Sequence, residues 1–238
     1  MRNMSAAGES DKEHGAPVAR GRAPGDIERA RTGVLVEGTR LVLFADYVCP
    51  FCFLAEAVTS RLDDGAVDGA AFELRPAGTP LPDLDAAWLR EAWTRSVEPL
   101  AAELGVSITR PGRATRTRKP HEAAAYARSV GLHAAMRSAI YAAYWQQGRD
   151  IGRIDVLVEI GRSVGLDPGG LRVALDIDQW TARVDEDEAW AAELGLGGVP
   201  AYVLTTGDES GTRVAAGIRV GLQRYEELTA WMERNNDI

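Results

Sequence analysis

The stretch RLVLFADYVCPFCFLAEAVTSRL, residues 40–62, decides the fold. Its first half, Arg40 to Ala45, is a nearly unbroken apolar run with branched side chains, as expected of a strand covered on both faces. Asp46-Tyr47-Val48 leads out of it into Cys49-Pro50-Phe51-Cys52, and Phe53 to Leu62 reads as a helix. Cys49 therefore falls near a helix N-cap, where unpaired amides and the helix dipole favour an anion and lower a thiol pKa. Pro50 suits the first helical position, because the amide it lacks would have no partner there. Cys52 lies one turn further on, close enough to close a disulfide with Cys49. Thiol–disulfide exchange needs an accessible thiolate attacker and a second thiol that releases the mixed disulfide. The pattern assigns the first role to Cys49, as the more exposed thiol, and the second to Cys52, buried behind it.

Working outward, Gly33-Val34-Leu35-Val36 begins the ordered part, and Ala71-Phe72-Glu73-Leu74-Arg75 is a short strand ended by Pro76. From about Asp85 to Leu194 the character changes. Ala, Leu, Glu and Arg dominate, and Tyr126, Met136, Ile140, Tyr144, Val156 and Ile160 recur at helical spacing. Gly131, Gly148, Gly165 and the pair Gly169-Gly170 mark helix ends, and Trp145, Trp180 and Trp190 are core anchors between helices. After Gly198 the strand signals return. Pro200–Leu204 and Arg213–Ala216 flank a polar loop at 207–211 and read as a hairpin, and Leu222–Met232 closes the chain as an amphipathic helix. The expected fold class is α/β, a thioredoxin-like fold with a large α-helical insertion. Residues 33–80 plus 195–238 make the thioredoxin-like domain, and 81–194 the insertion. Residues 1–32 carry almost no large apolar side chain and form a flexible tail.

The bulk numbers narrow the function. Hydrophobic residues make up 45% and charged residues 26% of 238, a globular balance. The net charge of −8 repels phosphate backbones, so nucleic acid is excluded as a partner. No apolar run approaches the roughly 20 residues of a membrane span, and the N-terminus shows no apolar signal core, which places the expected site of action in the cytoplasm. The only two cysteines are Cys49 and Cys52. A zinc site would need further ligands, and His14, His121 and His133 have none at ligand spacing, so no metal is expected. The basic stretch Arg110, Arg113, Arg116, Arg118 and Lys119 reads first as a solvated loop, with steering of acidic substrates as its functional alternative. His121 follows it as a helix-start residue.

Four stretches carry a family resemblance: FADYVCPFC at 44–52, FELRP at 72–76, AIYAAYWQQGRDIGRIDVLVEIGRSVGLD at 139–167 and LGLGGVPAYVL at 194–204. From about Arg40 to Met232 the chain resembles the DsbA-like oxidoreductases of the FrnE branch. The resemblance implies dithiol–disulfide exchange with Cys49 and Cys52 as the redox pair, supported by Pro50 and Phe51. It also implies that Pro200 is a cis proline beside the cysteines, leaving the backbone of Val199 free to pair with an extended substrate. Two departures stand out. Phe51 cannot donate a hydrogen bond to the Cys49 sulfur as a histidine would. Leu43 stands where thioredoxin and DsbA carry a buried carboxylate, and Asp46 is the nearest acid, either a proton relay or a turn former.

The expected substrates are thiols or disulfides of proteins or small molecules, with no bound cofactor and a low-molecular-weight thiol as co-substrate. Two other uses of the fold compete. Glutathione-dependent isomerases of the 2-hydroxychromene-2-carboxylate type share fold and insertion but typically have serine in place of the first cysteine and lack the second. A non-catalytic binding module would use the groove between sheet and insertion. Both cysteines, and Gly198-Val199-Pro200, weigh against these two. Redox direction and oligomeric state are not encoded in any of these patterns.

Overall fold

The computed structural model describes residues 39–62, 66–207 and 213–235. Residues 1–32, the run Gly33–Val36 and, of the expected loop at 207–211, residues 208–211 lie outside these. Strands β1 (Thr39–Ala45), β2 (Val67–Ala71), β3 (Ala201–Gly207) and β4 (Arg213–Val220) form a sheet of order β2-β1-β3-β4. β1 runs parallel to β2 and antiparallel to β3, which pairs antiparallel with β4. Helix α1 (Pro50–Thr59) follows β1 directly, and α9 (Tyr225–Arg234) ends the described chain. Between β2 and β3 come α2 (Ala87–Ala92), a π-helical turn (Trp93–Val97), α3 (Glu98–Glu103), α4 (Arg118–Ser129), α5 (His133–Trp145), α6 (Ile154–Ser163), α7 (Pro168–Asp176) and α8 (Thr181–Glu193). This is the thioredoxin-like α/β fold. No described helix is long and apolar enough to cross a membrane.

The apolar run of β1 is explained by burial on both faces. Leu41, Leu43 and Ala45 pack, with Tyr202 and Leu204 of β3, against α1, α5 and α9. Val42 and Phe44 point the other way, into a smaller cluster with Ala70, Ala201, Val203 and the half-buried Trp190 of α8. The Phe44 and Trp190 rings lie 5.0 Å apart. Trp145 is the anchor of the larger cluster, whereas Trp180 is only half-buried.

Three expectations need correction. The second strand is Val67–Ala71, not Ala71–Arg75. Beyond Phe72, whose amide still donates to the Ala45 carbonyl at 3.2 Å, the backbone amides turn to side chains: Glu73 donates to Glu188, and Leu74 donates to the Asp46 carboxylate at 2.7 Å. Such a segment has left the ladder. Gly169-Gly170 do not end a helix but lie in the first turn of α7. The Asp167 carboxylate caps that turn by accepting from the Gly170 amide at 2.6 Å, and a side chain at Gly170 would meet the Tyr126 hydroxyl at 2.5 Å. The basic stretch is not a solvated loop. Arg116 donates to the Arg75 and Pro76 carbonyls at 2.8 Å, and Arg118 pairs with the buried Glu73 at 2.6 Å and with Asp185 at 2.5 Å. Lys119 reaches Glu122 at 2.7 Å and the Leu175 carbonyl at 2.6 Å. Arg116 and Arg118 fasten the helical block to the segment that follows β2, and Lys119 ties α4 to α7.

The turn between β1 and α1 hangs on α5. Trp145, fully buried, donates its indole N–H to the Tyr47 carbonyl at 2.9 Å. Trp145→Phe keeps an aromatic ring but leaves that carbonyl without its donor and opens a gap. The expected cost is about 2–3 kcal/mol of stability, combining an unsatisfied buried acceptor with a small cavity. Urea unfolding measures it, and a loss below about 1 kcal/mol would show that the turn is held by other contacts.

Candidate active site

Cys49 is the N-cap of α1, with φ −90° and ψ 116°, and Pro50 occupies the first helical position. The chain folds this way because the Cys49 carbonyl accepts from the amides of Cys52 at 3.1 Å and Phe53 at 3.2 Å, while the Cys49 amide donates to the Asp46 carbonyl at 3.1 Å. Proline contributes no donor at this end, so the first turn leaves few amides to satisfy. Both thiols are free. The Cys49 Sγ donates to the Val199 carbonyl at 3.6 Å, across 150 positions of sequence. The bond from Val199 to Pro200 is cis. Pro200 is buried, and its carbonyl accepts from Gly221 at 2.8 Å, which ties this loop to the end of β4. Pro50 and Phe51 are half-buried on the first turn. The six residues singled out in the sequence thus share one spot, where the N-terminus of α1 meets the loop before β3.

The DSBA-like thioredoxin domain family matches residues 40–231. The chain belongs to that family. A probable DsbA oxidoreductase from Streptomyces coelicolor superposes with a TM-score of 0.67 at 26% identity, covering 83% of this chain and 89% of that one. The cytosolic disulfide reductase DsbM from Pseudomonas aeruginosa gives a TM-score of 0.58 at 20% identity, over 82% of this chain and 97% of its own. In sequence, the Bacillus subtilis protein YwbO is 31% identical over 140 residues, 56% of this chain and 70% of that protein.

One expectation about this DSBA-like site is corrected in degree. Cys49 is more accessible than Cys52, at 4% against 0%, but both are buried. The Val199 carbonyl sits on the Cys49 sulfur. Cys52 sits in an apolar shell with Phe53, Tyr141 and Tyr202 close by. Burial pushes its thiol well above the usual cysteine range, and the neighbouring Cys49 pushes the same way. A hydrogen bond from the Asp46 backbone opposes this only in part.

Asp46 is the turn former its position suggested. It shapes the turn, accepting from the Val48 amide at 3.3 Å and from Leu74 at 2.7 Å. It is also completely buried, and desolvation raises its carboxyl from 3.8 to about 7, against the hydrogen bonds from Leu74, Thr117 and Val48. Sequence reading missed its companion. His121, in the first turn of α4, is not a plain helix-start residue: it is buried, with Nε2 at 3.9 Å from the Asp46 carboxylate and its ring 4.9 Å from that of Tyr47. Burial, with Arg118 and Arg137 nearby, pushes its pKa down to about 3, so it is neutral. Thr117, the N-cap of α4, and His121, four residues on, both face Asp46, and that spacing was the only signal available.

A raised carboxyl pKa makes stability depend on pH. The folded state holds the Asp46 proton more tightly than the unfolded chain, so this contribution is complete below about pH 4 and is lost as pH rises through about 7. The groups around it are Glu73, Tyr144, neutral His121 and protonated Cys52. Asp46→Asn keeps an acceptor for Leu74 and removes the titration. Its stability relative to the parent is expected to rise from pH 4.5 to pH 8, with about 4 kcal/mol as the ceiling for a shift of this size. Urea unfolding of both proteins at the two pH values checks this. A difference that stays flat would mean Asp46 is ionised in an ordinary way.

Proposed function

We propose that the chain is a thiol–disulfide oxidoreductase working through the Cys-Pro-Phe-Cys dithiol on disulfides or dithiols of proteins or small molecules. The observation that carries this reading is the seating of Cys49 at the N-cap of α1 against the Val199 carbonyl, with Cys52 buried one turn behind. In the direction that reduces a substrate disulfide, Cys49 attacks as the thiolate and forms a mixed disulfide, and the first substrate thiol leaves. Cys52 then gives up its proton and attacks the Cys49 sulfur. The second substrate thiol leaves, and two electrons have passed from the dithiol to the substrate. The reverse sequence oxidises a dithiol.

The geometry divides the labour. A substrate has to displace the Val199 carbonyl from the Cys49 sulfur, and the backbone beside cis Pro200 is then free to pair with it. Cys52 stays protonated until resolution because its thiol pKa is raised, so it does not compete as the attacker. Asp46, whose carboxyl titrates near neutral pH and bears on Cys52, is the group that takes and returns the Cys52 proton. The opposite half-reaction is supplied by a low-molecular-weight thiol or its disulfide, and the setting is the cytoplasm.

Retention of Cys52 separates this reading from a glutathione-dependent isomerase, which needs no second thiol. Limiting alkylation of the reduced protein is expected to label Cys49 first. Cys49→Ser should abolish turnover of a disulfide substrate, a loss of at least about a thousandfold. Cys52→Ser should instead accumulate a mixed disulfide between Cys49 and substrate, seen by mass spectrometry under non-reducing conditions. Normal turnover by Cys52→Ser would refute the nucleophile-and-resolver scheme, and a glutathione-dependent isomerisation surviving in that variant would select the isomerase.

A further inference from the structure

Against the turn that carries Cys49, though lined by neither cysteine, lies a cavity of about 240 Å³. Val48 and Pro50, the two neighbours of Cys49, form one wall. The others are Leu74 and Leu81 from the segment after β2, Trp88 of α2 and Trp93 of the π-helical turn. Neither Val199 nor Pro200 touches it, so it is separate from the backbone-pairing edge described above.

Three observations mark it as a binding site. First, Leu74, Leu81 and Trp88 are exposed at 36%, 37% and 65%, and all three open onto this one cavity. Large apolar side chains scattered singly need no explanation, but a cluster at a concave mouth does. Second, Ala87–Ala92, the opening stretch of the continuous helix that runs on through Trp93–Val97 to Glu103, buries none of its residues. Its Trp88 is presented without contributing to the core. Third, the helix changes to a π turn at Trp93, a local geometry concentrated at functional sites. The Trp93 ring stacks on Trp145 at 5.9 Å and 18°, so the floor of the cavity is rigid aromatic surface.

Charge narrows the occupant. Arg75 and Arg110 stand at the rim. Arg110 is engaged with the Leu84 carbonyl at 2.8 Å and with Asp85 at 3.2 Å. Arg75 is exposed, and its guanidinium makes no ion pair or hydrogen bond among the described residues. A flat apolar ring would fill the space between the indoles, and a carboxylate on it would meet Arg75. The volume suits one substituted ring rather than a folded segment of polypeptide.

We infer that this cavity is a substrate subsite for small aryl disulfides that carry a carboxylate. The inference rests on the oxidoreductase reading and adds the substrate class. With 5,5′-dithiobis(2-nitrobenzoate) as oxidant, the Cys49 thiolate attacks one sulfur and releases one arylthiolate. Cys52 then closes the Cys49–Cys52 disulfide and releases the second. The dithiol is oxidised by two electrons, the probe is reduced to two thiolates, and the two thiol protons go to solvent.

Two measurements test the subsite and the underlying chemistry apart. The first uses the redox-inert ring 5-(methylthio)-2-nitrobenzoate with the Cys49→Ser variant, read by quenching of tryptophan fluorescence and confirmed by calorimetry. Saturable binding is expected, weakened about tenfold by Arg75→Glu or Leu81→Asp, both exposed positions. Absence of binding, or binding indifferent to both substitutions, overturns the subsite. The second follows reduced protein in stopped flow with the aryl disulfide and with 2-hydroxyethyl disulfide. Trp88→Ala is expected to slow the aryl reaction about tenfold and leave the hydroxyethyl reaction unchanged. Equal effects on both disulfides overturn the subsite. Intact binding of the inert ring with no exchange on either disulfide instead removes the oxidoreductase reading and leaves the cavity as a site for aryl carboxylates.

Discussion

The arrangement depends on three residues, Asp46-Tyr47-Val48, that carry the chain from a strand buried on both faces to a helix N-terminus. A turn in that place has polar backbone groups and almost no water to satisfy them. The protein meets the demand from α5 and from the segment after β2. Trp145 donates to the Tyr47 carbonyl, the Tyr141 hydroxyl reaches the Asp46 carbonyl at 3.4 Å, and the Asp46 carboxylate accepts from Val48 and Leu74. All but the Val48 contact join the helical block or the β2 exit to the strand-to-helix turn. The helical block is thus part of the site's construction rather than a cover over it. The rings of Tyr47, Tyr141, Phe53 and Trp145 follow one another at 4.8 to 6.3 Å and fill the space behind Cys52.

That packing sets the electrostatics. The aromatic shell that holds the turn also removes water from Cys52, and the same desolvation raises Asp46 and lowers His121. Phe51 belongs to this pattern. It gives the Cys49 sulfur no hydrogen bond, so a thiolate there has the helix end and its amides as support. Two thiols one turn apart are made unequal by position alone: one caps the helix beneath a carbonyl, and the other is enclosed by rings.

Much of this was legible in the sequence, and the reasons are physical. An apolar run followed by a cysteine, a proline and a second cysteine can satisfy its backbone in few ways, so β1, α1 and the N-cap position of Cys49 follow directly. The loop Gly198-Val199-Pro200 became informative only through resemblance, since a proline before a strand is ordinary edge chemistry. What could not be read were properties created by distant neighbours. Ala71–Arg75 has strand-like composition, but the Glu188 and Asp46 carboxylates capture the amides of Glu73 and Leu74. The arginines of 110–118 look like a solvated run, yet their partners Glu73, Asp150 and Asp185 lie tens of positions away. The burial of His121 depends on how α4 lies across the end of β1, which no local pattern contains.

The placement of the acid carries a last consequence. Leu43, where related folds keep their carboxylate, points into the apolar cluster shared with Tyr202, and a charge there would have no partner. Asp46, one turn residue beyond the strand, can be buried because three donors come to it: the Leu74 and Val48 amides and Thr117. Moving the acid from the strand to the turn therefore exchanges an unsupported buried charge for a supported one. The supporting donors pull its pKa down while burial pushes it up, and the balance lies near neutrality rather than far above it.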